Sequence, residues 1–228
     1  MFALITSCWL GFLIGLRHAL DPDHLAAIST LVVEQPRRWR AAFLGAWWGI
    51  GHSAALLGAG ALLLAWRTQL PQRWAQLFEL GVSIMLIGLG VRSLRRSLRM
   101  RGAPLPHAHG NVVHVHGADA DHFHLRSWTI ARRPFLIGLA HGLAGTGAIT
   151  ALALASMPDA AAALAYIALF ALGSIGGMAL LTGVAGVPIE RLSRRPAAHA
   201  AVMACVGAAS LVVGVVWGAP IAGRLLGS

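Results

Sequence analysis

The chain has 228 residues, of which 57% are hydrophobic and only 11% charged. A soluble domain carries roughly a quarter charged residues, so an ordinary cytosolic fold is excluded and a polytopic membrane protein is expected. The net charge of +10 rests on 18 basic residues, all arginine and most of them set between apolar runs. That placement points away from nucleic acid and toward membrane orientation, with the lipid bilayer and its anionic headgroups as partners.

A helix needs about 20 apolar residues to cross a bilayer, and six such runs are predicted, at roughly 8–33, 41–66, 75–94, 134–157, 160–186 and 198–222. The expected fold is therefore all-α, with about six transmembrane helices. The apolar stretch from Phe2 to Leu16 lacks a basic leader and a small-residue cleavage site. It is assigned to the first span and not to a signal peptide. Cys8 and Cys205 lie far apart in apolar segments and are expected as small buried hydrophobes. Arg37, Arg38 and Arg40 follow the first span, and Arg191, Arg194 and Arg195 follow the fifth. Arg92, Arg95, Arg96, Arg99, Arg101, Arg126, Arg132 and Arg133 surround the loop after the third. The loop after the second span holds only Arg67 and Arg73, and the loop after the fourth holds none. This bias places the Arg-rich loops in the cytoplasm and both termini outside. Trp39, Trp66, Trp74 and Trp128 lie near span ends, where interfacial tryptophan belongs.

An internal repeat organises the chain. The segment from Phe12 to Leu20 matches that from Phe135 to Leu143 at seven of nine positions, and His18 aligns with His141. Gly81 and Gly88, seven apart, echo Gly207 and Gly214. Two three-helix membrane repeats, 1–94 and 134–228, flank a His- and Arg-rich cytoplasmic loop, 95–133. Because three is odd, the halves must be inverted. That is a recurrent plan of secondary transporters, which bind substrate near the bilayer midplane where the repeats meet.

The first span carries Arg17-His18-Ala19-Leu20-Asp21-Pro22-Asp23-His24. Each central Asp or Arg costs on the order of 3 kcal/mol in a membrane helix, so such a cluster must face a cavity or the bundle interior. On a straight helix His18 and His24 would point about 240° apart. Pro22 removes a backbone N–H and crowds the His18 carbonyl, which predicts a kinked first helix that can bring the two imidazoles together. His52, beside Ser53, lies near the middle of the second span between close-packing glycines. His141 lies in the fourth, with Thr146 and Thr150 on the same span. The predicted metal ligands are His18, Asp21, Asp23, His24, His52 and His141. Ser53, Glu79 and Thr146 are secondary or gating candidates. Imidazole and carboxylate suit nickel, cobalt and zinc, and the absence of nearby thiolates argues against Cu(I). In the loop, His107, His109, His114, His116, His122 and His124 fall within 18 residues. They read as a metal buffer or sensor on a polar linker.

The run His18-x4-Asp23-His24, preceded by Arg17 and containing Asp21, resembles the signature of the nickel/cobalt transporter family, with Pro22 where that family often has alanine. Gly51-His52-Ser53 is similar to the family's second motif, and the His-rich loop resembles that of nickel/cobalt exporters. His141-Gly142-Leu143-Ala144-Gly145 resembles the urease-accessory branch. The family's Asp-Thr-Ala-Thr-Glu run is absent. The resemblance implies that His18, Asp21, Asp23, His24 and His52 select and pass the metal.

The expected function is secondary transport of Ni²⁺ or Co²⁺, the transported substrate, by alternating access, with no organic cofactor and no enzymatic activity. Ligands must be deprotonated, so binding should weaken in acid. A cytoplasmic metallochaperone is a compatible partner. Competing readings are a membrane accessory protein for urease or hydrogenase maturation, a Ser/His intramembrane hydrolase, and a haem subunit. The sequence has neither a Gly-x-Ser-Gly turn nor an H-E-x-x-H motif, and haem does not require paired carboxylates.

Overall fold

The computed structural model describes residues 2–34, 38–66, 68–101, 107–109, 112–114 and 127–227. The order of elements is α1 (Phe2–His18), α2 (Pro22–Glu34), α3 (Arg38–Ala65), α4 (Gln72–Arg101), β1 (His107–His109), β2 (Val112–His114), α5 (Ser127–Ser156), α6 (Ala160–Ser193) and α7 (Pro196–Leu226). The two strands pair as a small antiparallel hairpin, His107 opposite His114. Among the described residues, four helical segments are long and apolar enough to cross a membrane: Trp39–Ala65, Gln72–Met100, Ala160–Ser193 and Pro196–Leu226.

The expected break in the first span falls where the proline is. The α-helix ends at His18, the Leu20 and Asp21 amides turn back onto the Arg17 and His18 carbonyls, and α2 restarts at Pro22. Proline suits this first helical position because its N–H would be orphaned there anyway. Pro196 opens α7 for the same reason. The Asp159 side chain caps α6, accepting from the Ala162 N–H at 2.8 Å.

Several helices outrun the apolar spans. α4 continues through Arg92, Arg95, Arg96 and Arg99 to Arg101, and α5 begins at Ser127, ahead of Arg132 and Arg133. Arginine is a good helix former, and from Val91 to Arg101 no glycine or proline occurs, the next being Gly102 and Pro104. The helical pattern therefore ends later than the hydropathy does. Cys205, expected buried, is exposed on α7, on an outer surface it shares with Val212, Val215 and Val216. An apolar residue of a membrane helix can face lipid as readily as protein, so its chemistry does not fix its side. Trp39, Trp66 and Trp74 are exposed at helix ends, as interfacial residues would be.

The helices pair reciprocally: α1 with α6, α3 with α5, α3 with α6 and α4 with α7. Glycine makes the closest approaches. A Cβ on Gly15 would collide with the Phe170 carbonyl, and one on Gly138 with the Trp48 carbonyl. A Cβ on Gly173 would meet the Phe12 carbonyl, and one on Gly51 the Phe135 carbonyl. Buried hydroxyls tie the same helices together. Ser53 donates to Ala171 O at 3.1 Å, Ser174 to Gly15 O at 3.2 Å, Ser93 to Met203 O at 2.8 Å and Ser210 to Leu86 O at 2.9 Å. With little hydrophobic drive between helices in lipid, close packing and such hydrogen bonds carry association.

The C-terminal end of α2 is held from two sides. His199 of α7 donates from Nε2 to the Val33 carbonyl at 2.9 Å, and Arg92 of α4 donates from Nε to Glu34 Oε1 at 2.9 Å. The Arg92 side chain is nearly half exposed. Exposed ion pairs contribute about 1 kcal/mol or less, so Arg92→Gln should lower stability by no more than that. Thermal unfolding in detergent checks it, and a larger loss would mean the pair is shielded from water.

Candidate metal centre

The break between α1 and α2 turns the end of one helix and the start of the next toward α3, α5 and α6. His18 comes from the last turn of α1, Asp23 and His24 from the first turn of α2, His52 from the middle of α3 and His141 from the middle of α5. Their rings cluster. The His24 centroid lies 4.4 Å from that of His18, 5.2 Å from His52 and 5.2 Å from His141. The His18 and His52 rings are 5.2 Å apart.

These residues form two overlapping sets of potential ligands, His18 with His24 and His52, and Asp23 with His24 and His141; within each set one ligand atom per residue lies within 4.8 Å of the others. His24, His52 and His141 are buried. Asp23 Oδ1 is 2.9 Å from His24 Nδ1, and Asp23 Oδ2 is 3.8 Å from His141 Nε2. The ring nitrogens left over point into the cluster. His18 Nε2, His24 Nε2, His141 Nε2 and both nitrogens of His52 have no hydrogen-bond partner among the described residues. Buried polar atoms normally have partners, and several orphans converging on one point are what a cation site looks like without its cation. Three imidazoles, or two imidazoles and a carboxylate, suit divalent nickel, cobalt or zinc.

Of the six residues expected as ligands, five enter these sets. Asp21 enters neither. Its Oδ2 lies 2.7 Å from His18 Nδ1 while 47% of its side chain remains exposed. It orients the imidazole, as carboxylates commonly do behind a ligating histidine. Ser53 is engaged by the Ala171 carbonyl, and Thr146 Oγ1 donates to Gly142 O at 2.7 Å. Both hydroxyls thus serve helix carbonyls. Glu79, on α4, belongs to neither set. The side chains of His107, His109 and His114, and all of His116, His122 and His124, lie outside the described residues.

Two aromatic residues complete the walls and were not singled out from sequence. Trp48 is fully buried, its ring 5.1 Å from His24 and 5.3 Å from His141, and Nε1 has no partner. Phe170 is fully buried, with its ring 5.2 Å from His18. Trp48 stands four residues before His52, hence on the same helix face, and that spacing was the available signal.

Residues 4–219 match the NicO family model, described as high-affinity nickel-transport protein. The chain is 31% identical over 216 residues to the urease accessory protein UreH of Bacillus sp. (strain TB-90), covering 93% of this chain and 90% of that protein. It is 29% identical over 197 residues to the Chloroplast protein FOR GROWTH AND FERTILITY 2 of Arabidopsis thaliana, covering 84% of this chain and 50% of that protein. A shorter match, 36% identical over 81 residues, covers 34% of this chain and 22% of the high-affinity nickel transport protein of Cupriavidus necator. No solved structure matches the chain.

Proposed function

The chain belongs to the NicO family of high-affinity nickel-transport proteins, and from that membership we propose that it is a secondary transporter moving Ni²⁺, or Co²⁺ by the same ligand chemistry, through the His/Asp cluster. The observation that carries this reading is the gathering of ring nitrogens from α1, α2, α3 and α5, without hydrogen-bond partners among the described residues, into two overlapping sets that share His24. Such a site strips part of an ion's hydration shell without a cofactor, and its ligands come from helices that can move relative to one another.

Reciprocal packing supports two inverted three-helix repeats, 1–94 and 134–228, joined by a cytoplasmic loop. Gly15 meets Phe170 as Gly138 meets Trp48, and Gly173 meets Phe12 as Gly51 meets Phe135. The sequence aligns Phe12 with Phe135 and Gly15 with Gly138, so each contact has its counterpart in the other half. The broken α1–α2 pair then counts as one span, giving six, with the Arg-rich ends in the cytoplasm and both termini outside. The His/Asp ligands are unequally shared, because only His141 comes from the second half.

The test is radioactive nickel flux in cells expressing the wild type, His18→Ala and Asp23→Asn at equal levels. Flux present in the wild type and reduced at least about tenfold in both variants is the expected result, since even outer-shell changes at metal sites cost about 10–100-fold. The sign of the flux gives the direction. The likeness to UreH favours one second reading, a membrane accessory protein that hands nickel to enzyme maturation. Nickel bound by purified wild type with no flux in cells would select it.

A further inference from the structure

We propose, on the basis of the transport reading above, that the cluster holds one ion in two alternating positions that share His24, and that the ion passes between them by exchanging one ring nitrogen of His24 for the other. The first position uses His18, His52 and His24 Nε2. The second uses Asp23, His141 and His24 Nδ1.

The geometry sorts the atoms this way. His24 is the residue common to both ligand sets. Its Nδ1 faces the Asp23 carboxylate at 2.9 Å, and its Nε2 is buried without a partner. His18 Nε2 and the His52 nitrogens are likewise unpartnered, and the His18 and His52 rings lie 4.4 and 5.2 Å from that of His24. On the other side, His141 Nε2 is 3.8 Å from Asp23 Oδ2 and has no hydrogen bond. An imidazole carries its two nitrogens on opposite flanks of the ring, so one ring can serve both positions without changing its rotamer. His24 carries one proton in each position, on Nδ1 toward Asp23 in the first and on Nε2 in the second; each passage gives up one proton at Nδ1 and takes up one at Nε2, so the exchange is neutral.

Two dications only a few ångströms apart and shielded from water would repel strongly, so the positions are filled alternately. Accessibility orders them. His18 retains 19% side-chain exposure and lies against Asp21, which retains 47%, whereas Asp23 retains 14% and His141 1%. The His18 position is the entrance, and the His141 position is the inner one. Moving inward also changes which helices hold the ion. The first position draws on α1, α2 and α3 alone, and the second draws in α5. Passage therefore ties the load to the second half of the chain, which is the element that must move for the other side to open. His18 and His52 thus hand the ion to His141 and Asp23, with His24 a ligand at the start and at the end of the move.

Nickel binding to purified full-length protein in which His107, His109, His114, His116, His122 and His124 of the loop are changed to alanine, counted per chain, together with nickel X-ray absorption to count imidazole ligands, tests the assignment. This parent protein should bind one nickel per chain. His52→Ala and His141→Ala should each still bind one, the former with a carboxylate in the shell and the latter with histidine only, and each should lose flux. His24→Ala, and His24→Asn as a variant closer in shape, should weaken binding about a hundredfold or more while eluting as the wild type in gel filtration. Two nickel ions per chain of that parent protein would overturn the proposal. So would loss of binding in either His52→Ala or His141→Ala, or identical spectra in the two. A wild type that binds no nickel would instead remove the transport reading on which the proposal stands.

Discussion

Replacing His52 with leucine is expected to raise the melting temperature of the metal-free protein while leaving it stabilised by nickel through Asp23, His24 and His141. His52 is fully buried on α3, and neither ring nitrogen has a hydrogen-bond partner. Its neighbours are the rings of His18 and His24, each 5.2 Å away. A buried polar group without a partner costs about 1–3 kcal/mol, whereas leucine has a similar volume and no polar atom to desolvate. Some repacking cost, below about 1.5 kcal/mol for a volume-conserving change, offsets part of the gain. A net rise of about 2–4 °C corresponds to about 1 kcal/mol in a chain of this size. Nickel should add to this. At a hundred times its dissociation constant a ligand stabilises the native state by about 2.7 kcal/mol, and the leucine variant should keep such an increment from the set of Asp23, His24 and His141. Thermal unfolding in detergent, with chelator and with nickel, measures both effects. A leucine variant that melts lower in chelator would show that His52 is a packing residue.

That trade between stability and ligation explains which parts of the molecule were legible in the sequence. Arg17 to His24 stood out because ionisable groups inside an apolar run are costly, and Pro22 announced the break because its ring and missing N–H act locally. Both signals are contained within a few residues, and the structure shows α1 ending at His18 and α2 opening at Pro22. The nine-residue match that aligned His18 with His141 was informative because it carried the contact residues Phe12, Gly15, Phe135 and Gly138 along with the histidines. Less legible were features decided by which way a side chain turns. Asp21 differs from Asp23 by two positions across the helix break. That offset sends Asp23 to His24 and His141 and leaves Asp21 on the rim against His18. The hydroxyls of Ser53 and Thr146 looked like candidate ligands, yet a helix carbonyl is within reach of each and captures it. Trp48 read as one more apolar residue, although its ring packs against two of the histidines. Cys205 faced outward for the converse reason, since an apolar helix in lipid gives its sequence no water-facing side to mark.

Gly138→Val is expected to prevent assembly of the protein, and Gly15→Val should do the same. A Cβ on Gly138 would land on the backbone carbonyl of Trp48, with the indole Cδ1 2.8 Å away. A helix carbonyl is fixed by its own hydrogen bond and cannot rotate aside as a flexible side chain would, so α3 and α5 must separate. Overpacking of this kind costs about 1–3 kcal/mol even where side chains can yield, and valine adds a branch held nearly to one rotamer in a helix. The separation would also reach the metal centre. Trp48 and His52 leave α3 on the side facing α5, four residues from Gly138 lies Gly142, and a Cβ on Gly142 would meet the His52 carbonyl. Even a partly assembled Gly138→Val protein should therefore bind nickel poorly, because its ligand sets close only while atoms from different helices stay within 4.8 Å of one another. Gly15 faces the Phe170 carbonyl in the matching contact between α1 and α6, so its valine variant should fail to a similar degree. Gly58, Gly88 and Gly176 have open space where a Cβ would go, and alanine there should be tolerated. Fluorescence-detected gel filtration of detergent extracts separates these outcomes. A monodisperse Gly138→Val protein with wild-type nickel binding would mean that α3 and α5 do not approach so closely, and the reciprocal packing of the two halves would lose one of its two anchors.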